Sequence, residues 1–221
     1  MLKEQFKEME ELQDKLNIHT CGKDWKKNCT KLGRATVFPL AGAMETLEAI
    51  DSVNWKHWKD LDKKEDLDNL LLELVDIGHF IFSLNLQHEV HIKTEYLETI
   101  PEEVSRDNVI DEGVILIKSL LDIHKDYSLA DVFTLNRAFC IFAPTVLSYV
   151  SKDWNDFYKL YISKNVLNIF RQDNGYADGT YIKEWNGIED NIVLAGILET
   201  TSDISFDILY SKLEESYKKL R

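Results

Sequence analysis

Two pairs of acidic residues, Glu45 with Glu48 and Glu73 with Asp76, are each spaced i, i+3. On a helix both members of a pair leave one face about a turn apart, so two such helices side by side would converge four carboxylates. The second pair interrupts the run Leu70, Leu71, Leu72, Leu74, Val75, Ile77, Phe80, Ile81, Phe82, Leu84, which is apolar on nearly every side and therefore reads as a buried helix. Glu73, Asp76, His79 and Ser83 fall close to one stripe of it. An unopposed buried carboxylate costs several kcal/mol, against a domain stability of only about 5–15 kcal/mol. The opposing charge is either a Lys or Arg side chain or a divalent cation. Neither helix carries a basic residue on that stripe before Lys56, which favours the cation. All-oxygen ligation suits Mg²⁺ or Mn²⁺ rather than zinc, and Mg²⁺ held by carboxylates usually meets a phosphorylated ligand.

The best anion-binding stripe is Lys164, Asn168 and Arg171, at i, i+4, i+7. It runs directly into a segment, 172–188, in which Asn174-Gly175, Asp178-Gly179 and Asn186-Gly187 each mark a turn. A stretch this long, with aromatics and Lys183 in it, is expected to be a loop that closes over a ligand. It lacks the G-x-x-x-x-G-K-[ST] spacing of a P-loop. Gln13 and Asn17, one turn apart, are either surface amides or readers of a base edge, since an amide offers both donor and acceptor. Trp55-Lys56-His57-Trp58-Lys59 can hold a base and a phosphate, or can be an exposed helix end anchored by two tryptophans.

These residues need helices to position them. Leu2, Phe6, Met9, Leu12 and Leu16 predict a first helix ending near Asn17, followed by a loop over Thr20 to Leu40. The first carboxylate helix starts near Leu40 and continues to the Trp55–Lys59 group, and the buried helix ends near Gln87. A polar connector spans 88–112, and helical pattern resumes from Val109 to His124. Ser128 with Asp131 reads as a cap for an apolar helix through Val150, bent at Pro144. Helices over Trp154 to Gln172, Glu189 to Glu199 and Phe206 to Leu220 complete an all-α reading with no internal repeat.

The 221 residues favour one domain, 1–221, large enough to bury roughly 70% of its unfolded surface. A net charge of −13 argues against nonspecific binding to nucleic acid or an anionic membrane surface. The three cysteines, Cys21, Cys29 and Cys140, form no disulfide framework, and His19, Cys21 and Cys29 lack a fourth zinc ligand at suitable spacing. With no secretory apolar segment at the start and no window of 18 uninterrupted apolar residues, a soluble, cytoplasmic protein is expected.

Assembled, the chain resembles the dimeric dUTPases of the all-α NTP pyrophosphohydrolase superfamily over essentially its whole length. Four patches carry the likeness: Leu12 to Asn17; Glu45-Thr46-Leu47-Glu48 through Lys59; Glu73-Leu74-Val75-Asp76-Ile77-Gly78-His79-Phe80; and Lys164 to Gln172 onward to Glu189-Asp190-Asn191. The resemblance implies an all-α homodimer that hydrolyses dUTP and dUDP to dUMP, releasing pyrophosphate or phosphate, with attack at the β-phosphorus. Glu45, Glu48, Glu73 and Asp76 match that family's metal ligands for Mg²⁺ or Mn²⁺, with Glu48 assigned to deprotonate the attacking water. Lys164, Asn168, Arg171, Tyr176 and Lys183 fall where the family binds phosphates; Gln13, Asn17, Trp58 and Asn191 near its uracil pocket; His79 and Phe80 near the deoxyribose. Gly78 stands where a larger side chain is common, and Ala177 where a lysine often follows the Gly-Tyr pair. The competing readings are an all-α pyrophosphatase for dCTP or a modified nucleotide, and a helical interaction protein without catalysis. A diiron bundle would need Glu-x-x-His pairs, and the second position here is Glu48 or Asp76.

Overall fold

A computed structural model describes residues 1–59, 64–97, 99–123, 128–202 and 204–219. Its helices are α1 (Leu2–Cys21), α2 (Phe38–Asp51), α3 (Leu67–Gln87), α4 (Arg106–Asp122), α5 (Leu129–Tyr149), α6 (Trp154–Asp173), α7 (Asp190–Glu199) and α8 (Phe206–Lys218). The only strands among the described residues are β1 (Glu184–Trp185) and β2 (Ile188–Glu189), an antiparallel pair, so the fold is all-α. The expected helix ends at His124 and Leu220 lie outside the described residues.

Helices α2 to α5 pack together, α2 on α3 and α4, and α4 on α5, while α1 and α6 lie together against α3. Leu70, Leu74, Ile77, Ile81 and Phe82 of α3 are wholly buried, as the apolar run requires. Among the described residues, α5 alone is long and apolar enough to pass for a membrane span, but most of it is enclosed by the other helices. Pro144 stands inside α5 without ending it. A second, smaller cluster gathers Phe170 of α6, Trp185, Leu194 of α7 and Leu213 of α8.

Three boundaries differ from the sequence expectation. Helix α1 runs one turn further, to Cys21, and stops at Gly22, whose φ of 97° few other residues adopt. Helix α2 ends at Asp51, short of Trp55–Lys59, because Ser52 turns its hydroxyl back to the Glu48 carbonyl and Glu65 takes the Asn54 amide. The connector ends at Ser105, not 112, where Ser105 and Asn108 cap each other reciprocally and start α4. In the 172–188 segment, Asn186 and Gly187 both adopt positive φ, the two-residue turn that hairpins favour.

Gly78, where the resemblance expects a larger side chain, opens no free space. Its missing Cβ faces α6, 3.0 Å from Phe157 Cζ and 3.7 Å from Tyr161. Both rings are fully buried and packed on each other, so Gly78→Ala should cost about 1–3 kcal/mol in urea unfolding. A midpoint equal to wild type would show that Phe157 is free to move.

Candidate active site

The acidic pairs and the cationic stripe meet because α6 runs antiparallel to α3. Lys164 lies on Asp76, and Tyr161 lies on His79, three residues further along each helix in opposite directions. Between α1, α3 and α6, with Phe38 and Glu45 contributed by α2, is a pocket of about 300 Å³. Gln13, Asn17, Glu45, Asp76, His79, Phe80, Lys164, Asn168, Arg171 and Tyr176 all line it.

Carboxylate oxygens of Glu45, Glu73 and Asp76 come within 4.8 Å of one another. Glu48 stands at the exposed edge of this group, near enough to repel both glutamates. The first cation facing the cluster is a side chain: Lys164 Nζ, almost entirely buried, is 2.7 Å from Asp76 Oδ2. Periodicity along one helix could not reveal it, since it arrives from α6. One lysine does not offset three acids, and the excess negative charge makes ionisation of the glutamates harder. Burial, a hydrogen bond with Glu45 and repulsion from its neighbours push Glu73 up to about 8. Burial likewise raises Glu45, with Asp76 and Glu48 adding to it. Glu73 Oε2 is buried without any hydrogen-bond partner among the described residues. An acid-rich oxygen donor set with an orphaned oxygen fits a divalent cation.

Arg171 reaches the pocket from a fixed anchor. Its Nε and Nη2 each donate at 2.8 Å to Asp190, which is fully buried at the start of α7, and Nη1 donates to Asn168 at 3.2 Å. Tyr181 donates a further bond to Asp190 at 2.7 Å. Burial works to raise Asp190, but the hydrogen bonds and charge of Arg171 hold it below the usual carboxylate range. Asn191 accepts from Arg171 at 3.2 Å and so stands behind it, not on the pocket wall. Lys183 is half exposed and 4.0 Å from Glu189, also off the wall. Trp58 is 62% exposed, stacked edge-on with Trp55 and His57 beyond the end of α2, and the structure does not bring it to the pocket.

At the other end, His79 is buried, parallel to the Tyr161 ring at 4.1 Å, and its Nδ1 is 2.6 Å from Gln13 Oε1. Burial pushes it down to about 4, so it is neutral at physiological pH. Tyr161 and Asp190 carry no sequence signal as site residues: one reads as a core aromatic, the other as an acid opening a helix. The cysteines are free thiols.

A helical bundle with a pocket that sets acids against cations at one end and amides at the other fits an all-α hydrolase of phosphorylated small molecules. A family model described as dUTPase matches residues 5–176, and the chain belongs to that family: it is a dUTP diphosphatase. No curated protein sequence matches the chain. Members of the family generally use a divalent metal, in keeping with the acidic cluster.

Proposed function

We propose that the protein hydrolyses dUTP, and dUDP, to dUMP in the cytoplasm, with release of pyrophosphate or phosphate, and that the metal is Mg²⁺. What carries this reading is the polarity of one pocket along α3. The α3 wall runs from Asp76 to Ser83, and with Glu73 of the acidic cluster one turn behind Asp76 it spans about 15 Å of helix, close to the span of a nucleotide from phosphate tail to base. Its acid end also holds Lys164 and Arg171, and its far end holds His79, Gln13 and Asn17.

Glu45, Glu73 and Asp76, with Glu48 at the edge, would hold the ion, which would offset charge on acids and phosphates and polarise the phosphoryl oxygens. Glu48, exposed to solvent, takes the proton of the attacking water. The water oxygen bonds to the β-phosphorus, the bond to the α–β bridging oxygen breaks, and dUMP leaves with that oxygen. Lys164 and Arg171 stabilise the charge gathering on the phosphates, and Asn168 and Tyr176 complete the grip on the tail. Asn17 faces the base, and Phe80 the sugar.

Glu48→Gln should lower kcat at least about 100-fold with the circular dichroism unchanged, the loss typical of removing a general base. Activity near wild type would reassign the base. Pyrophosphate release from each deoxynucleoside triphosphate, with and without Mg²⁺, tests substrate and ion together. Preference for dCTP would move the protein to the competing pyrophosphatase reading.

We also infer a homodimer built on α2 and α4. Gly42 of α2 abuts Leu120 and Gly113 of α4 abuts Ile50, so the two helices run antiparallel. On the outer side of this pair Leu40, Met44 and Leu47 form an exposed apolar stripe beside Val114 and Leu121. An isologous partner would cover it. Sedimentation should give a dimer for wild type and a monomer for Leu47→Glu. A wild-type monomer at micromolar concentration would exclude the assembly.

A further inference from the structure

The polar end of the pocket contains a closed chain of hydrogen bonds whose direction is set by a single hydrogen. Ser83 has one hydroxyl proton, and it goes to the carbonyl oxygen of His79 at 2.7 Å. Toward α1 the Ser83 oxygen can then only accept, from Gln13 Nε2 at 3.0 Å and Asn17 Nδ2 at 2.8 Å. Gln13 Nε2 gives its other hydrogen to Asn17 Oδ1 at 3.1 Å. Gln13 Oε1 is thereby turned the other way, where it accepts from the Tyr161 hydroxyl at 2.7 Å and lies 2.6 Å from His79 Nδ1. A carbonyl oxygen has no proton to donate, so Nδ1 must carry one, and a neutral imidazole then has none on Nε2. That Nε2 is buried and has no partner among the described residues. Turning the Gln13 amide over would require Ser83 to donate twice.

We propose that Ser83 and Tyr161 are positioning residues: acting through Gln13, they keep the His79 proton on Nδ1 and leave Nε2 as a bare acceptor for a hydroxyl or N–H of the ligand. Gln13, with two bonds given and two received, has no capacity left for a ligand. Asn17 keeps one free hydrogen and one free lone pair. In the nucleotide reading the donor that meets Nε2 is a sugar hydroxyl; this half of the inference rests on that reading, and the tautomer does not.

Two measurements test it. Nitrogen-15 imidazole spectra of the wild-type protein should show His79 protonated at Nδ1 and bare at Nε2; the reverse pattern overturns the proposal. In Tyr161→Phe, Gln13 loses one of the two donors that orient it, and the spectrum should show both tautomers. Wild type should have a KM for dUTP about tenfold below that for its 2′,3′-dideoxy analogue, the worth of one hydrogen bond. In Tyr161→Phe that ratio should fall to about two- to threefold while kcat changes less than about twofold. A packing defect alone would raise both KM values together, and an unchanged ratio with an unchanged tautomer overturns the positioning role. Ser83→Ala should act in the same direction; if it does not fold, the wild-type spectrum and Tyr161→Phe decide. A wild-type protein that hydrolyses neither triphosphate would remove the nucleotide reading and leave the tautomer to the spectra.

Discussion

Replacing Glu73 by glutamine should stabilise the metal-free protein at pH 8 and abolish its nucleotide hydrolysis. Burial and the neighbouring acids raise Glu73 to about 8 from an ordinary 4.5. The folded chain therefore keeps a proton that the unfolded chain has lost throughout that window. The favourable contribution is complete below about 4.5 and is lost as pH rises to about 8. Glutamine has the shape of the protonated acid, likewise offers one donor and one acceptor group, and cannot ionise, so at pH 8 it removes the cost. After discounting for solvent reaching the cluster, that cost is on the order of 2 kcal/mol, or about 5 °C in melting temperature. The same change deprives a cation of one of its charged oxygens, and activity should fall at least about 100-fold. Thermal melts without metal, at pH 5 and pH 8, give the sign. A Gln variant no more stable than wild type at pH 8 would mean that Glu73 does not carry the proton. Full activity would mean that it does not hold the ion.

The second large effect lies outside the acids. Asp190→Ala leaves the Arg171 guanidinium, mostly buried, without its two-pronged partner and leaves the Tyr181 hydroxyl unmatched. Breaking a buried pair from one side costs about 3–5 kcal/mol, which for a chain of this size lowers the melting temperature by about 10 °C. Removing both charges together, with Arg171→Met added, should recover part of that stability, because the orphaned cation is gone. Nucleotide KM should rise in Asp190→Ala, since nothing then aims Arg171 at the pocket. A melting temperature within a degree or two of wild type would show that the pair does not anchor the start of α7.

Much of this arrangement is legible in the residue order. A stripe of Glu73, Asp76, His79 and Ser83 breaking an otherwise apolar helix is a local pattern, and the helix is indeed buried where the pattern places it. The Lys164, Asn168, Arg171 stripe is local too, and all three residues reach the pocket. What periodicity could not supply is pairing across helices. Lys164 meets Asp76 over a separation of 88 residues, and Asp190 meets Arg171 only because a hairpin returns the chain. Gln13 is a candidate base reader in sequence, yet its bonding is filled by Ser83, Asn17, Tyr161 and His79, which only the packing of three helices reveals. The end of α2 escapes periodicity for a related reason: beside the local bond of Ser52 to Glu48, the Asn54 amide is taken by Glu65, eleven residues away.

Helix α6 belongs to two oily clusters at once. Phe157 and Tyr161 sit in the large one, while Val166, Leu167 and Phe170 sit in the small one with α7 and α8. Lys164 falls at the seam, and Arg171 falls on the far side of it. Sequence drift in the last two helices can therefore shift where Arg171 is held without disturbing the carboxylates on α2 and α3. The acids and the guanidinium that share the pocket are thus supported by separate parts of the chain, and selection can adjust one support while the other stands still.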